Sequence, residues 1–115
     1  MTVEMDIFSG RPNPTWELTP GQQEEFRKRV AALPRRSTPA RMFDGLGYRG
    51  LILRNPATPG ESFRVGFGWV AHGQTDAEST YPDEGRAVEK WLLSTGKGKI
   101  DERLLASTGL ELPAR

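Results

Sequence analysis

Two runs of alternating apolar and polar residues, 2–8 and 15–18, flank the segment Ser9-Gly10-Arg11-Pro12-Asn13-Pro14. In the first run Val3, Met5 and Ile7 point one way and Thr2, Glu4 and Asp6 the other. In the second, Trp16 and Leu18 share a side. A period of two marks a half-buried strand. The two runs are expected to pair as an antiparallel hairpin across the 9–14 connection. Hairpins rather than βαβ units imply an antiparallel sheet with helices on one face, an α+β architecture.

The remaining elements fit that frame. Thr19-Pro20-Gly21-Gln22 reads as a helix start, with Thr19 as the cap, Pro20 in the first turn and Gln22 reaching back. The helix is expected to run to about Leu33, with Phe26, Val30 and Leu33 as one apolar stripe and Glu24–Lys28 and Glu25–Arg29 on the wet side. Pro34 stops it. Residues 35–46 read as a loop, and 48–54 as a second apolar run centred on Leu51, Ile52 and Leu53. Residues 63–72 read as one strand, Phe63, Val65, Phe67, Trp69 and Ala71 on one face, Arg64, Gly66, Gly68, Val70 and His72 on the other. Two glycines on one strand face call for a reason. Either a tryptophan, Trp16 or Trp91, packs over them, or a ligand lies on bare backbone.

Residues 73–81 read as a polar, acidic loop. Asp83 caps a second helix with Ala87, Val88, Trp91 and Leu92 as its buried stripe, and Gly96 follows its end. Asp101 begins a short third helix carrying Leu104 and Leu105. The expected order is β-β-α-β-β-α-α: a single α+β domain over residues 1–115, with an antiparallel sheet of about four strands.

Composition narrows the chemistry. The chain has 115 residues, no cysteine and one histidine. Disulfides, thiolate catalysis, cysteine-ligated zinc and iron–sulfur clusters are thereby excluded, as is a multi-histidine centre within one chain. No cofactor and no metal are expected. The net charge of +1 disfavours nucleic acid or an anionic membrane as the default partner. No signal peptide or membrane-length apolar run is visible, so the expected location is cytoplasmic. The charge is uneven: Arg35, Arg36, Arg41, Arg49 and Arg54 face Asp44 alone in the middle of the chain.

The 9–14 connection is the leading candidate for a working surface. Pro12 and Pro14 stiffen it and push Arg11 and Asn13 toward extended backbone, leaving little entropy to lose on binding. Ser9, the Gly10 amide and the Arg11 guanidinium could together hold a carboxylate or phosphate, while Asn13 donates and accepts. The plainer alternative is a well-built loop with Arg11 and Asn13 bonded internally. Tyr48 and Arg49 of the basic zone complete the candidate binding set. No Gly-rich phosphate loop is present; Gly66 and Gly68 lie in the wrong context.

His72 and Asp6 are the candidates for moving a proton. Asp76 and Glu78 are only loop neighbours of the histidine. Met42, Phe43 and Leu46 could close over the core, rim a pocket or touch a partner.

The first functional expectation is a small cofactor-free accessory or binding protein whose surface is built from the Ser9–Trp16 connection, the 35–49 basic loop and the glycine-bearing strand. Its partner is a small anionic molecule or another protein, with homo-oligomerisation left open. The alternative is a small metal-independent isomerase, cyclase or lyase in which Arg11 anchors an anion. A third is nucleic-acid contact through the basic loop.

Overall fold

The computed structural model describes residues 1–35, 47–58, 60–73 and 80–113. Strands β1 (Thr2–Met5) and β2 (Thr15–Glu17) form the expected hairpin, with Val3 opposite Trp16. They are followed by β3 (Leu51–Arg54), β4 (Ser62–Gly66), β5 (Trp69–His72) and β6 (Thr80–Pro82). The six strands make one sheet in the order β2-β1-β3-β4-β5-β6, and each neighbouring pair is antiparallel. The α+β class and antiparallel sheet stand. The expected strand count of about four and the element order are corrected: four strands, not two, lie between the first and second helices.

The largest departure is the run 63–72. It is a hairpin rather than one strand. Phe67 and Gly68 both have positive φ, 53° and 93°, and join Gly66 to its partner Trp69. Two-residue hairpin loops favour the type I′ turn, which requires left-handed backbone at both positions. A phenylalanine there is strained, and its presence hides the turn from a reader looking for Asn-Gly. The turn also reverses the alternation. Phe63 pairs with His72 and Val65 with Val70, so those four share a face, while Trp69 and Ala71 lie on the other. β6 is the second strand missed: Thr80 and Tyr81 pair with Ala71 and Val70. Residues 74–79 and the expected loop residues 36–46, with Arg36, Arg41, Met42, Phe43, Asp44 and Leu46, lie outside the described residues.

The first helix, α1 (Pro20–Ala31), starts as expected. Thr19 Oγ1 accepts from the Gln22 amide, and the Gln22 side chain accepts from the Thr19 amide. It ends at Ala31, short of Leu33. Phe26 is fully buried, edge-on to Phe63 with ring centroids 5.0 Å apart. Val30 and Leu33 are half-buried against the core.

The second helix, α2 (Ala87–Ser94), carries a rotated stripe. Val88, Glu89, Leu92 and Leu93 are buried, while Ala87 is exposed and Trp91 only half-buried. The reason lies before it: Glu84–Arg86 forms a 3-10 turn, with Gly85 and Arg86 both left-handed. Asp83 reaches across that turn to accept from the amides of Val88 and Glu89, so the helix begins later than a simple cap at Asp83 would place it. The third helix, α3 (Glu102–Ala106), is capped by Asp101, which accepts from the Arg103 amide, and buries Leu105.

The helices cover the face bearing Val3, Met5, Trp16, Leu51, Leu53, Phe63 and Val65. Trp16 donates from Nε1 to Thr95 Oγ1 at 2.8 Å, and its ring lies over Gly96, where a Cβ would come within 3.1 Å. No tryptophan packs on Gly66. A Cβ there would meet Gly50 Cα at 3.1 Å, and one on Gly50 would meet the Val65 carbonyl at 2.9 Å, so this glycine pair admits neighbouring backbone. At the outer edge, Lys99 Nζ donates to the Glu17 carbonyl at 2.7 Å and blunts the open side of β2. Among the described residues no helix is long and apolar enough to cross a membrane.

Candidate functional site

The 9–14 connection is rigid at its base and open at its tip. Asn13 Oδ1 accepts from the amides of Ile7 and Phe8, at 3.1 and 2.7 Å, and Asn13 Nδ2 donates to Glu4 Oε2 at 2.8 Å. Both ends of the carboxamide are thus used inside the fold. The Asn13 bond, with a further one from Arg54, holds the Glu4 carboxyl below its usual range. Pro14 accepts from the Met5 amide through its carbonyl, which extends the hairpin to the edge of the loop. Ser9, Gly10, Arg11 and Pro12 are all exposed.

Arg11 lies over an aromatic ring. Its guanidinium carbon is 3.8 Å from the centroid of Phe8, close enough for a cation–π contact. It makes no hydrogen bond or ion pair with any described residue. Beside it opens a cleft of about 530 Å³ lined by Phe8, Arg11, Pro12, Asp101, Arg103 and Leu104. Arg103 there is already paired with Asp101 at 2.9 Å. The cleft therefore offers apolar walls and one unneutralised cation.

The other expected residues divide between supporting this loop and lying away from it. Arg49 donates to Asp6 Oδ1 at 2.9 Å and to the Phe8 carbonyl at 3.0 Å, so it braces the loop from behind. Arg64 reaches the second Asp6 oxygen at 3.4 Å. Asp6 is thus held between two arginines. His72 is exposed, stacked on Phe63 with centroids 4.4 Å apart, on the third strand from β1. Neither Asp6 nor His72 lines the cleft beside Arg11. Of the basic zone, Arg54 bonds Glu4, and Arg35 donates to the Val30 carbonyl and lies over Tyr81.

Tyr48 belongs to a buried network that sequence reasoning did not assemble. At its centre Glu89 is fully buried on α2. Its carboxylate accepts from Tyr48 Oη at 2.6 Å, from the Phe67 amide at 2.9 Å, and from Arg86 Nε and Nη2 at 2.8 Å each. Arg86 also covers the Phe67 ring. Burial, and then the Glu89 charge, push the Tyr48 phenol far up, while the bond to Glu89 raises Arg86. Burial also raises the Asp83 carboxyl, against the amide bonds that favour its charged form. Four donors converge on one carboxylate, so the cluster locks the strained 67–68 turn to α2. The available signal was a charged residue directly after Val88 on a helix otherwise expected to bury that side, with Arg86 three positions before it.

Among the described residues no group of three or more histidine, aspartate and glutamate side chains is placed to hold a metal ion. A scan against protein-family models matched none, and comparisons with curated proteins and with solved structures found no match.

Proposed function

We propose that this chain is a small accessory or binding protein that holds an acidic segment of a partner protein at the tip of the 9–14 connection. The observation that carries this reading is Arg11: exposed, laid on Phe8 and without a carboxylate partner among the described residues. A cation fixed in place, on a loop stiffened by Pro12 and Pro14, loses little freedom when an anion arrives. Arginine suits a carboxylate because its planar fork can bind both oxygens. The adjoining walls of Phe8, Pro12 and Leu104 accept an apolar neighbour of that carboxylate. In this reading Asn13, Arg49 and Asp6 hold the loop's shape, and Ser9 and the Gly10 amide add donors at its rim. The exposed tip favours a protein segment over an enclosed metabolite. The enzyme alternative needs Arg11 to share a pocket with a proton-moving group, and neither Asp6 nor His72 lines that cleft.

The test uses two defined probes, the peptide acetyl-Asp-Glu-Leu-Phe-Asp-amide and its Asn/Gln counterpart. Their titration is followed by amide NMR shifts at Gly10, Arg11 and Leu104. The acidic peptide is expected to move these signals saturably, and Arg11→Ala to remove its advantage over the neutral one. Equal binding of both peptides, or no response at these amides, defeats the reading.

A further inference from the structure

A second cleft, of about 840 Å³, lies between α1 and α2 and has a different character. It is lined by Gln22 and Arg29 from α1, by Ala87, Lys90, Trp91 and Ser94 from α2 with Thr95 just beyond, and by Glu111, Leu112 and Pro113 of the C-terminal tail. Its size is that of a small-molecule site. Trp91, expected in the core, is half-buried here. The Arg29 guanidinium sits 4.9 Å from the Trp91 ring, and its Nε is fixed by Glu25 at 2.8 Å. That leaves both terminal nitrogens of Arg29 without a hydrogen-bond partner among the described residues. Lys90 makes no hydrogen bond or ion pair with any described residue, and Gln22 uses only its carbonyl oxygen, leaving its amide nitrogen free. The walls thus present unpartnered donors beside an indole, a leucine and a proline. Among the described residues one carboxylate lines the cleft, Glu111, exposed and without a partner there.

We infer that this cleft is a binding site for a planar aromatic carboxylate, separate from the Arg11 surface. The ligand's ring lies against Trp91, Leu112 and Pro113. Its carboxylate takes hydrogen bonds from Lys90 and the free amino groups of Arg29. The tail supplies one wall: Lys97 Nζ donates to the Pro113 carbonyl at 3.1 Å, and Leu110 and Leu112 pack against the core. Glu111 repels the ligand's charge, so removing its charge favours binding. Opposite effects at Lys90 and Glu111 are what a charge-reading site produces and what a purely structural role for either residue does not.

The probe is 2-naphthoate, with 2-naphthalenemethanol as its uncharged counterpart. Binding is followed by the indole N–H signal of Trp91, assigned from the spectrum of Trp91→Phe. Naphthoate is expected to shift that signal saturably and to bind at least ~3-fold more tightly than the alcohol. Lys90→Ala should weaken naphthoate and narrow the difference, Arg29 keeping part of it. Glu111→Gln should tighten naphthoate about 2-fold. Arg11→Ala should change neither, which separates this site from the loop. Equal affinity for acid and alcohol, unchanged naphthoate binding in Lys90→Ala, or no saturable shift with either compound overturns the proposal.

Discussion

Glu89 shows how much one side chain can decide. A carboxylate buried among apolar groups survives only if every oxygen is used, and here four donors meet it. Glu89→Gln keeps the shape but removes the charge that Arg86 faces and places an NH2 group among donors. We expect a loss of about 3 kcal/mol in urea unfolding; a change under about 1 kcal/mol would show that the network is not what holds α2 to the 67–68 turn. Gly96 acts through space rather than charge. Gly96→Ala drives a methyl into the Trp16 ring, at an expected cost of about 1–3 kcal/mol. The near-UV circular dichroism of the tryptophans should change with it, and an unaltered spectrum with unaltered stability would refute the packing described for Trp16.

At the scale of elements, α1 was legible to its cap and α2 was not. Every signal of the α1 start is local: a threonine, a proline and a glutamine within one turn of chain, all found as read. Thr19→Ala should therefore cost about 1 kcal/mol by loss of the cap, measured by thermal unfolding, and no loss would mean the reciprocal bonds contribute nothing. The α2 stripe was misread because two left-handed residues, Gly85 and Arg86, come between the cap Asp83 and the helix. Arginine gives no local sign of such a conformation, which is held by its bonds to the buried Glu89 three positions on, by its amide on the Asp83 carbonyl and by its contact with the Phe67 ring. The 67–68 turn follows the same logic: a phenylalanine accepts a costly backbone because its amide is bonded to Glu89.

At the scale of the molecule, the radius of gyration of 13.3 Å is that of one compact body of this length. One cooperative unfolding transition is expected, coincident by circular dichroism and tryptophan fluorescence; two separated transitions would contradict the reading of residues 1–115 as one domain. The acid limb of that stability has an identified contributor. Glu4 joins the loop through Asn13 to β3 through Arg54, and its folded carboxyl titrates below the reference value of 4.5. A lowered carboxyl contributes stability that is fully present above its unfolded value and lost as pH falls through its folded value. Glu4→Gln should thus be less stable than wild type at neutral pH, and the gap should narrow as pH falls below the ordinary glutamate value of about 4.3. A gap that stays constant with pH would show that the Glu4 charge is not what matters.

The sequence by itself determined the α+β class, the β1–β2 hairpin, the α1 cap and the Asp101 cap of α3. Each of these rests on residues within a few positions of one another, where periodicity, proline geometry and capping act directly. Tertiary structure alone decided that 63–72 folds back on itself, that Trp16 rests on Gly96, that Asn13 faces inward while Arg11 stays unpaired, and that Tyr48 and Glu89 meet. Most of those outcomes depend on partners tens of residues away, whereas Asn13 finds its partners within nine positions once the hairpin has closed. Local propensity is worth a few tenths of a kcal/mol to about 1 kcal/mol per residue, and leaving a buried carboxylate unpaired costs about 3–5 kcal/mol, so its partners override local preference.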